Sequence, residues 1–376
     1  RDAKGNEIFP FDPKKNPSIK KTKDLLRMKK QMKKLVEIME TKYKGYDCYG
    51  HRGVAQGRYS GLSKQVHNSL ELIEGENPNL KDLALPFDEF CRLNGVEDVM
   101  KIWIAPFTSF GYGFFDEMPA AYVMKYLDTT TAIEFVNLRL WTWKEGTQNI
   151  YEAANKKLLN PAVLGTQVVK VERPAEGEEG KIKVTIRGEE GESTEEFDKL
   201  IVTTPLDYFA NYADAREDEK ELFGKIIHET YVDFLASFER GQGPTISGYI
   251  FDNMVPEKLG HAMVYYHRWE DLGANCPCTV YALRNHQGSK DADYDYTINA
   301  MQDDMRLCGF RVKERHYEQE SYYCPHVSPE DYAAGWYDDL EAIQGGQNTY
   351  YAGEILSFGD MEDTCASSRD IVGRFF

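Results

Sequence analysis

Apolar residues recur at helical spacing over 14–44, where Leu25, Met28, Met32, Leu35 with Val36, and Met39 mark one stripe of an amphipathic helix. LPFDEFCRLNG predicts a short helix with Gly95 just past its end, and MPAAYVMKYLD another with Pro119 near its first turn. Between them lies IAPFTSFGYGFF, whose aromatics and glycines suit either a core-packing loop or one lining a cavity. Further on, WKEGTQNIYEAANKKLL predicts a helix capped at Thr147 and ending in lysines. GTQVVKVERP and the alternating KIKVTIRG predict two strands joined by the loop AEGEEG. EEFDKLIVTTP predicts a buried strand ended by Pro205. Strands such as ETYVDFLASFER and CTVYALRN mix with helices up to 330, and SPEDYAAGWYDDLEAI predicts a helix with Ser328 as N-cap. The chain closes on a strand, Gly353-Glu354, a loop and a last helix.

Length and charge sharpen this picture. A chain of 376 residues exceeds one ordinary core, so two domains, or one domain with an insertion, are expected. The net charge of -17 repels nucleic acid. It is uneven: residues 14–44 hold twelve Lys/Arg against three Asp/Glu. That helix is either a surface helix with its stripe on the core or a contact for an anionic surface or protein partner. No apolar run is long enough to span a membrane. An odd count of 7 Cys and no glycosylation sequon favour a reducing compartment, cytoplasm or organelle interior.

Most common catalytic signatures are missing. Cys276-Pro277-Cys278 is too tight for the usual zinc chelate, so with Cys324-Pro325-His326 it predicts buried free thiols and no metal site. There is no G-x-S-x-G elbow, and the 8 His are scattered. The glycine cluster HRGVAQGRYSG has the wrong spacing for a phosphate loop.

Three separated segments, in order, resemble one family. WTWKEGTQNIYEAANKKLLNPAVLGTQVVKVERP resembles the W…G-x-x-x-L…T-x-V-x-x-I stretch of flavin-containing amine oxidases and related FAD-dependent oxidoreductases. FDKLIVTTP resembles the strand ending in Thr-Pro that follows there, and TYYAGEILSFGDMEDTCASSRDIV resembles the family's C-terminal flavin motif. The resemblance implies a two-domain α/β (α+β mixed) fold with FAD as cofactor. Its discontinuous, Rossmann-like FAD domain would comprise 1–28, 141–205 and 331–376. The helical part of the substrate domain would span 29–140 and its sheet part, a mixed sheet, 206–330. It places Gly353 and Glu354 beside the pyrophosphate and ribityl chain, Met361 and Glu362 at the pyrimidine edge, and Val168 at the adenine end with Thr204 and Pro205 nearby. The family's first strand–G-x-G-x-x-G–helix unit has no counterpart here, so either the sequence begins inside the fold or the chain does not hold FAD alone.

The resemblance also bears on the chemistry. Amine oxidases of the family place an aromatic before Met-Glu as half of an amine cage, whereas this chain has Asp360. Their lysine near the flavin, expected around ETYVDFLASF, is absent. APFTSFGYGFFDEMPAAYV is similar to a segment of the FAD-dependent fatty-acid double-bond isomerases. The leading expectation is therefore a flavoenzyme that moves a double bond of a polyunsaturated fatty acid, the flavin taking a hydride and returning it. Phe110, Tyr112, Phe114, Phe115 and Trp143 are the candidate pocket wall. An amine or amino-acid oxidase and a non-catalytic flavin-fold subunit of an assembly are the alternatives.

Overall fold

The structure, a computed structural model, describes residues 1–6, 19–43, 79–127, 131, 134, 141–239, 246–267, 276–287 and 289–376. The HRGVAQGRYSG cluster and both ends of the 14–44 stretch lie outside the described residues.

The first helices form a packed layer. They are α1 (Ile19–Glu40), α2 (Leu80–Ala84), α3 (Phe87–Asn94), α4 (Met100–Trp103) and α5 (Ala120–Tyr126). Leu35 and Met39 of α1 are buried, as the stripe predicts, and Tyr43 packs on Phe90 with ring centroids 5.0 Å apart. Gly95 ends α3 in the left-handed region at φ 60°. By contrast, α6 (Gln148–Asn155) buries no residue, and the flanking Trp141, Leu159, Val163 and Leu164 are exposed.

Three sheets follow. The first is antiparallel, β1 (Gln167–Glu172), β2 (Ile182–Gly188) and β3 (Gly191–Phe197). EEFDKLIVTTP is not one strand. β3 ends at Phe197, and β4 (Leu200–Val202) begins in another sheet, paired in parallel with β10 (Thr349–Tyr351). The residues between, Asp198 and Lys199, carry the change of sheet. Helix α7 (Glu217–Phe223) sits after β4.

The third sheet has order β6-β7-β8-β5-β9 and consists of β5 (Ile227–Phe238), β6 (Ile246–Tyr249), β7 (Val264–His267), β8 (Cys278–Leu283) and β9 (Val312–His326). Its two faces differ because side chains alternate along each strand. Val232, Phe234 and Val280 meet Ile298, Met301 and Met305 of α8 (Tyr294–Leu307). Glu229, Tyr231 and Asp233 share the other face with Tyr281 and Tyr323, as the strand registers show.

The predicted single helix over SPEDYAAGWYDDLEAI is two, α9 (Pro329–Ala334) and α10 (Trp336–Ala342). Gly335 separates them at φ 94°, outside the helical region. Ser328 caps α9 by accepting from the Asp331 amide. The chain closes with α11 (Met361–Phe375).

A buried ion pair ties three of these pieces together. Arg173, just after β1, donates to both carboxylate oxygens of Glu219 on α7, at 2.9 and 2.8 Å. It also donates to Asp214 at 2.7 Å, and the Tyr351 hydroxyl of β10 donates to Glu219.

Candidate functional site

The C-terminal ends of β4 and β10 lie side by side, the edge at which open parallel sheets bind ligands. The Ala352 amide donates to the Val202 carbonyl at 2.9 Å, which sets Gly353 against Thr203. Gly353 has φ 109° and ψ -165°, a conformation that L side chains do not tolerate. A Cβ there would stand 3.1 Å from the Thr203 carbonyl oxygen. The backbone is thus stripped of side chain where two strands end. Thr204 and Pro205 continue β4 at this edge, exposed, and the Thr204 hydroxyl lies 2.9 Å from that of Tyr212. Thr204, Pro205 and Gly353 are therefore brought together, although Gly353 and Thr204 are far apart in sequence.

Glu354 turns into the protein. Burial pushes its carboxyl up to about 7, against a smaller opposing effect from the Cys324 amide. Its Oε1 is buried without a hydrogen-bond partner. After the loop, Asp360 caps α11, its side chain accepting from the Asp363 amide at 2.8 Å. Met361 and Glu362 occupy the exposed first turn, where an α-helix leaves amides without intrahelical acceptors. Asp363 also lies 3.8 Å from the amine of buried Lys125 on α5.

A file of rings leads away from this edge. Phe358, in the loop before α11, stacks on Tyr126 at 5.2 Å and tilts against Tyr112 at 4.8 Å. Tyr112 meets Tyr323 at 5.4 Å, and the Tyr323 hydroxyl donates to that of Tyr112 at 3.2 Å. The file runs on through Tyr231 at 5.7 Å, Tyr281 at 5.3 Å, Tyr266 at 5.8 Å and Phe110 at 5.8 Å. Tyr126, Tyr323, Tyr281, Tyr266 and Phe110 are only half-buried, so this file presents an aromatic surface.

Of the predicted wall, Phe110 and Tyr112 join the file. Phe114 packs beside it against His286, ring centroids 5.4 Å apart. Phe115 turns instead into the helical core, 4.9 Å from Phe87 and 5.5 Å from Phe107. Trp143 is 57% exposed and lies in the chain around α6, outside the described ring contacts of the file. Val168, 41% exposed, sits at a bulge of β1. β1 meets the segment after β4 at Val171, whose amide donates to the Tyr212 carbonyl at 2.7 Å.

Below the aromatic loop lies a set of buried titratable groups that the motifs did not flag. Glu229 is 2% exposed, and a Cβ on Gly113 would stand 2.6 Å from its Oε1. Burial drives the Glu229 carboxyl well above its ordinary range, and the nearby Glu117 carboxylate adds to this. His326 Nε2 lies 3.9 Å from Glu229, and burial lowers the imidazole to about 4. Burial therefore works against charge on both groups under the loop.

These features fit a flavin: a glycine-only backbone at the strand ends, an orphan carboxyl oxygen beside it, and an open helix start. The family model of flavin containing amine oxidoreductases matches residues 8–225, more than half of the chain. The chain belongs to this family. Among solved structures it is similar to a CLA-producing fatty acid isomerase from P. acnes, with 41% identity over 100% of this chain and 78% of that one, at a TM-score of 0.84. A putrescine oxidase triple mutant shares the fold at 12% identity and TM-score 0.58, covering 98% of this chain and 79% of its own. So does cyclohexylamine oxidase from Brevibacterium oxydans, at 12% identity and TM-score 0.51, covering 96% and 76%. No curated protein matches. Membership of the family makes this a flavoprotein fold of the amine oxidase type.

Proposed function

We propose that the protein is an FAD-dependent isomerase that moves a double bond in a hydrophobic unsaturated substrate, a polyunsaturated fatty acid. The observation that carries this reading is the 41% identity, along the whole chain, to a fatty acid isomerase. The ring file supports it, because an apolar chain fits a half-buried aromatic surface.

Gly353, Glu354, Thr204, Pro205 and the first-turn amides of Met361 and Glu362 are the groups that would hold the cofactor. Bound flavin supplies reversible two-electron chemistry at a carbon between two double bonds. The chain's own part is to orient and to shield. Tyr126, Tyr323, Tyr281 and Tyr266, backed by the buried Tyr112 and Phe358, offer ring faces to a substrate carbon that becomes electron-poor, each contributing about 0.5–2 kcal/mol. Burial of Glu354, Glu229 and His326 works against fixed charge near that carbon. Asp360 argues against amine oxidation on structural grounds as well: its carboxylate is engaged as a helix cap, not as a cage wall.

The test is to incubate the purified gene product with linoleic acid and record conjugated-diene absorbance together with the visible flavin spectrum. Diene formation without peroxide supports the proposal. A product lacking bound flavin, or one that releases peroxide from amines and forms no diene, overturns it.

A further inference from the structure

We propose that the outer face of α1 docks on anionic lipid bilayers. At 3.6 residues per turn, Lys23, Leu26, Lys30, Lys33 and the acidic Glu37 fall on one stripe, with Lys29 beside it, so cations outnumber the acid on this face. All six are exposed, and Leu26 is 62% exposed. The opposite stripe, Leu25, Met28, Met32, Leu35 and Met39, faces the core, so the outer face is fixed in orientation by packing. Two other cations of the helix are engaged: Arg27 with Asp24 and Asp98, and Lys34 with the Asn94 carbonyl. Lys23, Lys29, Lys30 and Lys33 have no such partners among the described residues.

A lysine-rich face is ordinarily just a solvated one, and a lone exposed leucine is ordinary too. Their combination has a different meaning. Leu26 stands inside the lysine stripe and away from the core, the arrangement of an interfacial helix whose cations meet lipid headgroups while an apolar side chain enters the boundary. Charge complementarity names the partner. The whole chain carries -17, so an anionic bilayer repels its surface in general and attracts this helix. Docking is thereby oriented as well as selective. The inference goes beyond the proposed isomerase activity and does not depend on it, although a fatty substrate dissolves in the same bilayers.

The experiment is cosedimentation of the full chain with vesicles of phosphatidylglycerol and phosphatidylcholine, compared with vesicles of phosphatidylcholine alone. Binding to the anionic vesicles only, weakened by added salt, is expected. Lys29→Glu with Lys30→Glu and Lys33→Glu is expected to lower that binding by about tenfold or more. The milder set Lys29→Gln, Lys30→Gln and Lys33→Gln is expected to act in the same direction, and serves if the reversed charges disturb folding. Leu26→Ser is expected to weaken vesicle binding but not retention on heparin, which separates a bilayer from a soluble polyanion. Wild type left in the supernatant with anionic vesicles, lysine variants that bind as wild type does, or a Leu26→Ser protein unchanged toward vesicles would each overturn the proposal. Isomerase activity on detergent-dispersed substrate is measured separately, so failure of one reading leaves the other standing.

Discussion

The rings of Tyr126 and Phe358 lie stacked, 5.2 Å between centroids and 21° from parallel. Tyr126 ends α5 and Phe358 precedes α11, so this one contact joins the helical layer to the candidate flavin loop. Phe358→Ala removes it together with the contact to Tyr112. The expected loss is about 3–5 kcal/mol of stability in urea unfolding, with Phe358→Leu costing less. On the proposed function, conjugated-diene formation should fall in both variants, because the loop assigned there to the cofactor loses its anchor.

Gly113 is held at φ 86° directly over Glu229. Gly113→Ala carries the left-handed backbone penalty of about 1–2 kcal/mol plus the collision of its Cβ with the carboxyl. Removing the carboxyl as well, in Gly113→Ala/Glu229→Ala, should recover the collision but not the backbone cost. A double-mutant cycle on unfolding free energies reads the difference. Purely additive effects would show that the loop shifts away from Glu229 rather than resting on it.

Glu354 has a pH signature of its own. Its folded value near 7 stands above the ordinary 4.5 because it is buried. Between those values the folded protein holds the proton and the unfolded chain releases it. The stabilisation is therefore complete below about 4.5 and lost as pH rises through about 7. At 1.36 kcal/mol per unit the full effect is about 3 kcal/mol. Unfolding midpoints of wild type and Glu354→Gln, compared across this window, should diverge, with only wild type losing this contribution as pH rises.

The buried Arg173–Glu219 pair behaves in the opposite sense. Burial works against ionisation of Glu219, but hydrogen bonds from Arg173 and Tyr351 outweigh it and hold the carboxyl below its usual value. Its contribution is present above the unfolded value and lost as pH falls through the folded one. Arg173→Met removes the bidentate cation from the buried carboxylate and leaves only Arg216, 3.2 Å from Glu219, as a charge partner, at an expected cost of about 3 kcal/mol in chemical denaturation. The double variant Arg173→Met/Glu219→Leu should recover much of that, because no unpaired charge remains.

Local patterns carried much of the fold, and long-range pairing carried the rest. The amphipathic stripe of α1, the β1–β2 hairpin, Gly95 after α3 and Ser328 before α9 all follow from spacing, capping and turn chemistry. Gly335 inside AAGWYDD was a readable break that the apolar spacing on either side obscured. The split of EEFDKLIVTTP between two sheets was not readable, because only the distant β10 shows that β4 belongs elsewhere. The candidate site divides in the same way. Gly353 and Glu354 stand in a contiguous motif. Tyr231, Tyr266, Tyr281 and Tyr323 come from four strands, and only the sheet register sets their rings in file. Tyrosines inside strand-like runs, such as TYVDF and TVYAL, were the available signal. Phe358 and Glu229 had none, since a lone aromatic in a loop and a lone acid in a strand look like surface residues until their burial is seen.

The parallel pairing of β4 with β10 also bears on biosynthesis. Leu200 waits for Thr349, and Thr203 has no Gly353 to pack against until the distant β10 has been made. Contacts of such sequence separation form late, after local helices and hairpins. The edge that would receive the flavin thus cannot close before β10 is made. A ribosome stalled just after β9 would have made every strand of the aromatic sheet but not this edge, so cofactor uptake at the edge waits for β10.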